Sequence, residues 1–318
     1  MLDTFLLALS EMTGFLAFFG IGILLGKVHK LPSDAGTTLS KMITFVFLPA
    51  IEFSACAQQF TIEKLGGYAV LFLAGSCLML LSLPVSLLMQ KRLRGERMEW
   101  LGAAYSMVVP NFGYVGYPLV AALFGGEALS GFMMFALPFN FYIYGYAMMK
   151  WMPQGNDKGL KRRIKRLLGV PLIAMLLGIV VGLLGISCPE LVFKICDSAS
   201  NCMGPCAMIV AGLAISKLSA KKAFWDGRVY LVSLIRLIAL PLLFTAIACG
   251  ITRLFNLDTR ILMFVGIYTA LPLGLNPVVF SETYGGDGSF GASCGLVSMA
   301  ISLLTLPLML TLLQWLPI

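Results

Sequence analysis

The stretch AYSMVVPNFGYVGYPLVAALFGG, residues 104 to 126, decides how this sequence folds. It has 23 residues and no charge, and at about 1.5 Å per residue such a helix just crosses the hydrocarbon core of a bilayer. Its centre, however, contains Pro110, Gly113, Gly116 and Pro118, which remove backbone donors and loosen a helix. Interrupted backbone at membrane depth is tolerated only where protein buries it or water lines it. The stretch therefore predicts a membrane helix that is unwound at its middle, where something polar binds.

The composition of the whole chain is typical of a multi-pass membrane protein. Of its 318 residues, 59% are hydrophobic and 12% are charged, and the mean hydropathy is +0.91. The net charge of +8 does not indicate a nucleic-acid partner, because the basic residues lie in short runs between apolar spans. Most cysteines lie inside apolar spans, which favours packing roles, and no group of residues indicates a metal site.

Ten apolar spans are predicted along the chain, and each is long enough for a membrane helix. They cover residues 5–26, 37–57, 66–89, 98–124, 128–150, 170–187, 196–217, 227–252, 258–284 and 290–316. If the loops alternate between two sides, one side collects 18 Lys and Arg residues and the other collects 4, with Arg236 completing the total of 23. The side with 18 is called the basic end below. Positive residues favour the cytoplasm, so we expect a plasma-membrane protein with both termini outside.

The chain repeats itself on either side of a basic linker at residues 151–169. The paired features are Gly22 with Gly178, Gly26 with Gly182, Pro49 with Pro205, the break at 110–118 with the break at 271–277, and Gly125–Gly126 with Gly285–Gly286. The single glycines indicate close helix packing, and the two glycine pairs indicate turns. Five helices per repeat is an odd number, so the second repeat enters the membrane inverted. Residues 1–150 and 170–318 are therefore predicted to form two inverted five-helix repeats, in which helices 4 and 9 are broken.

Two asparagines mark the predicted breaks. Asn276 followed by Pro277 favours a helix start, since Asn caps free N–H groups and proline suits the first turn. A second half-helix is predicted to begin near Gly116–Pro118. Two positive helix ends that face one point near the midplane suit a carboxylate. We therefore predict that Asn111 and Asn276 bind an anion, while the alternative is that they only hold freed backbone groups.

The first break also resembles a known motif. Asn111-x-Gly113-x-x-Gly116-x-Pro118-Leu119 resembles the first crossover of the auxin efflux carrier family. The family's second crossover, second helix and last helix are matched by Leu271-Pro272 with Asn276 and Tyr284-Gly285, by Leu48-Pro49-Ala50, and by the run SLLTLPL at 302–308. The resemblance spans essentially the whole chain. It implies an all-α membrane protein of ten helices with two crossing broken helices, similar to bile-acid/sodium symporters.

The family includes plant auxin exporters and bacterial permeases often assigned to malate or malonate. The resemblance therefore implies a secondary transporter of a small organic anion, such as a dicarboxylate. The residues expected to bind the substrate are Asn111, Gly113, Tyr114, Gly116, Tyr117, Pro118, Asn276 and Pro277, and those expected to break the helices are Pro110, Pro272 and Gly274.

Glu52 and Arg236 are the deepest charges of the predicted spans, and charges inside a membrane are usually functional. Their different depths argue against a direct ion pair. Glu52 could bind a coupling proton or sodium ion, or could be a protonated core residue held by hydrogen bonds. Arg236 could attract the anion, but its position favours snorkelling of the long side chain to the basic end.

Other classes of function remain as alternatives. Within transport, the alternative is sodium-coupled movement of a larger amphipathic organic acid. A membrane-embedded enzyme would need a catalytic cluster, but the one histidine, His29, lies in a short loop. A sensor would need an appended soluble domain, and no loop between the predicted spans is long enough to form one. We therefore expect a non-enzyme without a cofactor, whose partners are lipid and the anion. A homodimer is an option that the sequence leaves open.

Overall fold

The computed structural model describes residues 2–28, 30–93, 95–152, 169–217 and 225–315, so His29 and most of the predicted linker lie outside the described residues. Within these ranges the protein is all-helical and contains no strand. The helices are α1 (Leu2–Lys27), α2 (Ala35–Gln59), α3 (Ile62–Arg92), α4 (Arg97–Val108), α5 (Phe112–Trp151), α6 (Val170–Leu183), α7 (Glu190–Ser216), α8 (Gly227–Phe255), α9 (Arg260–Ala270), α10 (Asn276–Thr283) and α11 (Ser289–Trp315).

Six of the described helices, α2, α3, α5, α7, α8 and α11, are long and apolar enough to cross a membrane. Three shorter apolar helices lie at Thr13–Lys27, in α6 and in α9. The prediction of an all-helical, multi-pass membrane protein is therefore confirmed. The arrangement of ten spans as two inverted repeats stays a prediction.

Proline shapes the first break as the sequence predicts, but the helix resumes earlier. The predicted start near Gly116–Pro118 is wrong by about one turn, because helical structure begins again at Phe112. The first five residues form a π-helical turn, and α-helix follows from Tyr117. Pro118 donates no N–H to the preceding turn, which is a physical reason for the wider turn there.

The predicted turn at Gly125–Gly126 lies inside α5. Gly125 has φ +80° and ψ −178°, a conformation that favours glycine, so α5 consists of two helical parts that meet there. The part before Gly125 is called the first half-helix below, and α10 is its counterpart after the second break. This turn lets α5 supply both the residues after the first break and the residues around position 140.

The repeated glycines bring two pairs of helices close together. A Cβ atom at Gly22 of α1 would overlap the backbone of Ile209 in α7. A Cβ atom at Gly178 of α6 would lie only 2.5 Å from the carbonyl oxygen of Phe53 in α2. The interpretation of these glycines as close helix contacts is therefore confirmed.

Buried aromatic rings hold α9 against α5. Phe132, Phe135 and Phe139 of α5 contact Phe264 and Tyr268 of α9, and the rings of Phe139 and Tyr268 lie 4.2 Å apart between centroids. Ring pairs at such distances stabilise packing beyond simple burial. The end of α9 is thereby fixed against Phe139, the residue before Asn140.

Candidate functional site

The two breaks cross each other in direct contact. Pro110 and Leu273 form an antiparallel bridge, and the N–H of Asn111 donates to the carbonyl of Pro272 at 2.8 Å. At Gly274 a Cβ atom would lie 3.1 Å from the carbonyl oxygen of Pro110, so a larger residue would push the two break segments apart. A backbone N–H of the first break is therefore satisfied by a backbone carbonyl of the second break.

Both asparagines line one small cavity at this crossing, but their side chains differ. Asn111 is 1% exposed, and neither its Nδ2 nor its Oδ1 atom has a hydrogen-bond partner in the protein. Asn276 is half-buried, and its Nδ2 donates to the hydroxyl of Tyr105 at 2.8 Å. Buried amides are normally paired, so the side chain of Asn111 is free to bind a ligand in this cavity.

The predicted capping role of Asn276 is wrong. The residue that precedes α10 is Leu275, whose carbonyl accepts from Val278 and Val279, while Asn276 is the first helical residue. Its side chain is directed to Tyr105 of α4, a partner that is distant in sequence. Pro277 does occupy the first turn, as predicted.

Glu52 of α2 lies in the same cavity. Its Oε2 accepts from Nδ2 of Asn140 at 3.1 Å, and its Oε1 accepts from the hydroxyl of Tyr144 at 3.0 Å. The carboxyl group is 6% exposed, so these two donors from α5 replace most of its contacts with water. The deepest acidic residue predicted from the sequence therefore lies at the crossing of the breaks.

Asn140 lies in the fifth predicted span, away from both predicted breaks, but the structure places it at the site. It is buried, bonds Glu52 and lines the crossing cavity together with Asn111. The physical reason is the turn at Gly125, which folds the second part of α5 back along the first. Asn140 is therefore unsuitable as a control position for experiments on the breaks.

The expectation that Arg236 snorkels to the basic end is wrong. Its side chain is 1% exposed, and its Nη1 and Nη2 atoms donate to the carbonyls of Met107 and Tyr268 at 3.2 and 3.0 Å. Met107 and Tyr268 lie in the last turns of α4 and α9, just before the two breaks. A cation is favourable at a helix C-terminus, so Arg236 joins both helix ends from α8. Glu52 bonds Asn140 and Tyr144 instead of Arg236, in agreement with the prediction that Glu52 and Arg236 form no direct ion pair.

The other predicted site residues divide into two groups. Those that line the crossing cavity are Pro110, Gly113, Tyr114, Tyr117 and Gly274. Among them, the buried hydroxyl of Tyr114 has no hydrogen-bond partner in the protein. The second group does not line the cavity: Gly116 packs closely on Leu271, Pro272 accepts the hydrogen bond of Asn111, Pro277 packs near Gly102, and Pro118 is exposed.

Three residues around the site have no clear signal in the sequence. Tyr105, Asn140 and Tyr144 provide the partners of Asn276 and Glu52. Tyrosines are common in membrane spans, and none of these residues lies in a break. Only the charge of Glu52, which needs buried donors, could have indicated that such partners exist.

Comparison with known proteins agrees with this geometry. The chain matches the family described as Membrane transport protein over residues 12–310. It belongs to this family, the auxin efflux carrier family. The chain is also 23% identical to a protein of Methanothermobacter thermautotrophicus described as an uncharacterized transporter, over 91% of this chain and 92% of that relative. The resemblance noted in the breaks is thus confirmed, and the cavity at their crossing is a candidate site in a membrane transporter.

Proposed function

We propose that this protein is a secondary transporter that moves a small organic anion, such as a dicarboxylate, by alternating access at the crossing of the breaks. The observation that carries the proposal is the unpartnered side chain of Asn111, which lies in a buried cavity between two broken helices. Broken helices in corresponding halves of a chain are the usual feature of a transporter site. The starts of both following helical segments favour negative charge.

The proposed architecture is ten membrane helices in two inverted repeats. In its support, α1 packs on α7 through Gly22, and the matching pair, α6 on α2, packs through Gly178. Likewise, α3 packs on α4, and α8 packs on α9. If residues 1–150 and 170–318 are interchanged, each of these helix contacts becomes the other contact of its pair, as two structural repeats require. We propose further that the basic end is cytoplasmic in the plasma membrane and that both termini lie outside.

The crossing cavity implies that binding requires movement. Its volume is about 30 Å³, which corresponds to roughly two water molecules and is far below the roughly 300 Å³ of ordinary small-molecule pockets. A dicarboxylate fits only after the helices around the crossing separate. Alternating access consists of such movements, in which opposite ends of the bundle open in turn.

Glu52 is the proposed coupling residue. Its carboxyl lies in the same cavity as the anion-binding asparagine, so a carboxylate there and a bound anion would repel each other. Binding a proton or a sodium ion at Glu52 removes this repulsion. Anion and cation would then bind together, as symport requires.

A thermal-shift screen of the purified protein tests the proposed function. Malate, malonate and longer organic acids are added one by one, with and without sodium and between about pH 5 and 8. We expect at least one anion to raise the melting temperature, because binding stabilises the folded state. Asn111→Ala should abolish that shift. If no organic acid stabilises the protein under any of these conditions, an organic anion is not its substrate.

Cysteine labelling in intact cells tests the architecture. Cysteines introduced at Gln154 and Asp287 should react only when the reagent reaches the cytoplasm, and one at Leu257 should react from outside. Asp287 is exposed, whereas the neighbouring Gly288 is buried and therefore unsuitable for labelling. Gln154 lies outside the described residues, so its accessibility is a prediction from the sequence alone. Labelling of Gln154→Cys and Leu257→Cys from the same side would exclude the inverted repeat.

A further inference from the structure

A second cavity, larger than the one at the crossing, opens at the basic end. Its volume is about 370 Å³, and it lies between the end of α3, the start of α4 and the end of α5. We call it the basic cleft. Arg97 and Lys150 stand at its rim, and no acidic residue lines it among the described residues. Its size falls within the range of small-molecule sites, and its charge suits an anion.

The rim of the basic cleft is organised by contacts between α4 and α5. Arg97 donates from Nη2 to the carbonyl of Lys150 at 2.8 Å, and the ammonium of Lys150 lies 5.0 Å from the ring centroid of Tyr146. Trp100 and Trp151 form further parts of the wall. The cleft therefore combines two cations with aromatic surfaces, an arrangement that suits an organic anion.

The inner end of the cleft reaches the crossing. Tyr105 lines the basic cleft, and its hydroxyl accepts from the amide of Asn276, which lines the crossing cavity. One hydrogen-bonded pair of side chains thus joins the walls of the two cavities. Nearby, Trp151 of the cleft wall donates from Nε1 to the hydroxyl of Ser281, so α10 is tied to the cleft at two points.

We propose that the basic cleft is the route by which the transported anion enters or leaves the crossing at the basic end, and that Tyr105 and Asn276 form its gate. This inference rests on the proposed function and adds the path to it. Arg97 and Lys150 concentrate the anion at the mouth of the cleft. Breaking the bond between Tyr105 and Asn276 opens the crossing to the cleft, and the same movement frees the amide of Asn276 for the anion.

Charged thiol reagents test the route without knowledge of the substrate. Ala104→Cys, inside the cleft, is treated from the basic end of reconstituted vesicles with 2-sulfonatoethyl methanethiosulfonate or its trimethylammonium analogue. Rates are measured against the protein without the introduced cysteine. We expect faster reaction with the anion, and the anion-to-cation ratio should fall about fivefold or more in Arg97→Gln/Lys150→Gln. The control Lys91→Gln/Arg92→Gln, an equal charge change on exposed residues of α3 that do not line the cleft, should leave the ratio unchanged.

The gate is tested with Gly113→Cys in the crossing cavity, where an added Cβ atom meets no atom within 4 Å. Its reaction with the anionic reagent from the basic end should be slow and should accelerate about tenfold in Tyr105→Phe, and more in Tyr105→Ala. Ala292→Cys, fully buried in α11 and lining neither cavity, should not accelerate, which excludes general unfolding.

Three outcomes would overturn the proposal. The first is an Ala104→Cys that shows no preference for the anionic reagent. The second is a Gly113→Cys that reacts with the anionic reagent at the same rate whether Tyr105 is unchanged or replaced by Phe or Ala. The third is protection of Ala104→Cys in phosphatidylglycerol vesicles but not in phosphatidylcholine vesicles, since the cleft would then hold a lipid head group. These results are independent of the proposed function, which fails instead if no organic acid stabilises the purified protein.

Discussion

The two breaks have similar sequences but opposite surroundings. In the first break, the side chain of Asn111 and the hydroxyl of Tyr114 have no partner in the protein. Further along the first half-helix, Pro118 and Phe124 are exposed. After the second break, α10 is almost entirely buried, from Pro277 to Thr283. The first break therefore provides free polar groups, whereas the second is held by its neighbours.

Four side chains of α10 bond to four different elements. Asn276 bonds Tyr105, Ser281 bonds Trp151, Glu282 bonds Lys217, and Thr283 bonds Thr44. These partners belong to α4, α5, the residue after α7, and α2. These contacts therefore hold α10 in place, and in the proposed mechanism they are the bonds that change when that end of the bundle opens. In the proposed mechanism, the first break is the binding element, and the second break with α10 is the closing element.

The largest expected effect is that of Asn111→Ala. Because the amide of Asn111 has no partner in the protein, its loss should affect the bound anion rather than the fold. A lost buried hydrogen bond to a charged group corresponds to about 1–3 kcal/mol, so transport should fall roughly tenfold or more. Uptake into vesicles at equal protein level measures the rate, and the melting temperature without ligand should stay nearly constant.

Asn276→Ala should also impair transport, but for a different reason and with a lower melting temperature, since it leaves Tyr105 without its donor. Asn201→Ala, an exposed position on α7, is the matched control and should change neither quantity. Normal transport by both the Asn111 and the Asn276 variants would place the substrate site away from the breaks.

The next effect concerns the charge beside the first break. Glu52→Gln keeps the shape of the side chain but fixes it in a neutral form, so the transport rate should lose its dependence on pH or on sodium while the anion still binds. Rates are measured between about pH 5 and 8 with and without sodium. Glu63→Gln, an exposed change in the first turn of α3, should retain the wild-type profile. An unchanged profile for Glu52→Gln removes this residue from coupling.

The third effect concerns the closing element. Lys217→Met should destabilise the protein, because Glu282 is buried and would lose the ammonium that lies 3.0 Å from its carboxylate oxygens. Lys217→Met/Glu282→Gln should recover part of the loss, since the neutral amide no longer needs a cation. Melting temperatures of the four proteins form the test cycle. A double variant that is less stable than Lys217→Met would contradict this account.

The smallest effect is expected at the start of α8. Hydrogen bonds from Arg228 hold the pKa of Asp226 below its ordinary value of 3.8, so Asp226 is more acidic in the folded protein. The carboxylate therefore stabilises the fold above the pKa of the unfolded chain, and this contribution is lost as the pH falls through the folded value. Asp226→Asn should lower the melting temperature slightly at pH 7, because the free energy of unfolding should fall by less than about 1 kcal/mol. The difference from wild type should shrink as the pH falls below 3.8, and a difference that stays constant over that range would contradict the assignment to ionisation.

Much of the fold and part of the site could be predicted from the sequence. Pro110 and Pro272 cannot continue a helix, so they placed both breaks correctly, whatever the neighbours are. Gly22 and Gly178 indicated close helix contacts, because only a residue without a side chain allows them. The run of apolar spans determined the membrane environment, and the paired motifs indicated the family. These features depend on local chemistry and on composition, which a sequence states directly.

Only the tertiary structure decided which side chains meet at the crossing. The partners of Glu52 and Asn276 lie between 88 and 171 residues away in the sequence. Arg236 was expected at the surface, yet two carbonyl groups next to the breaks hold it inside. The capping prediction for Asn276 failed for the same reason, since a distant tyrosine offered a better partner than the adjacent backbone. A polar group in a membrane binds whichever partner packing brings to it, and packing depends on contacts between segments that are remote in the chain.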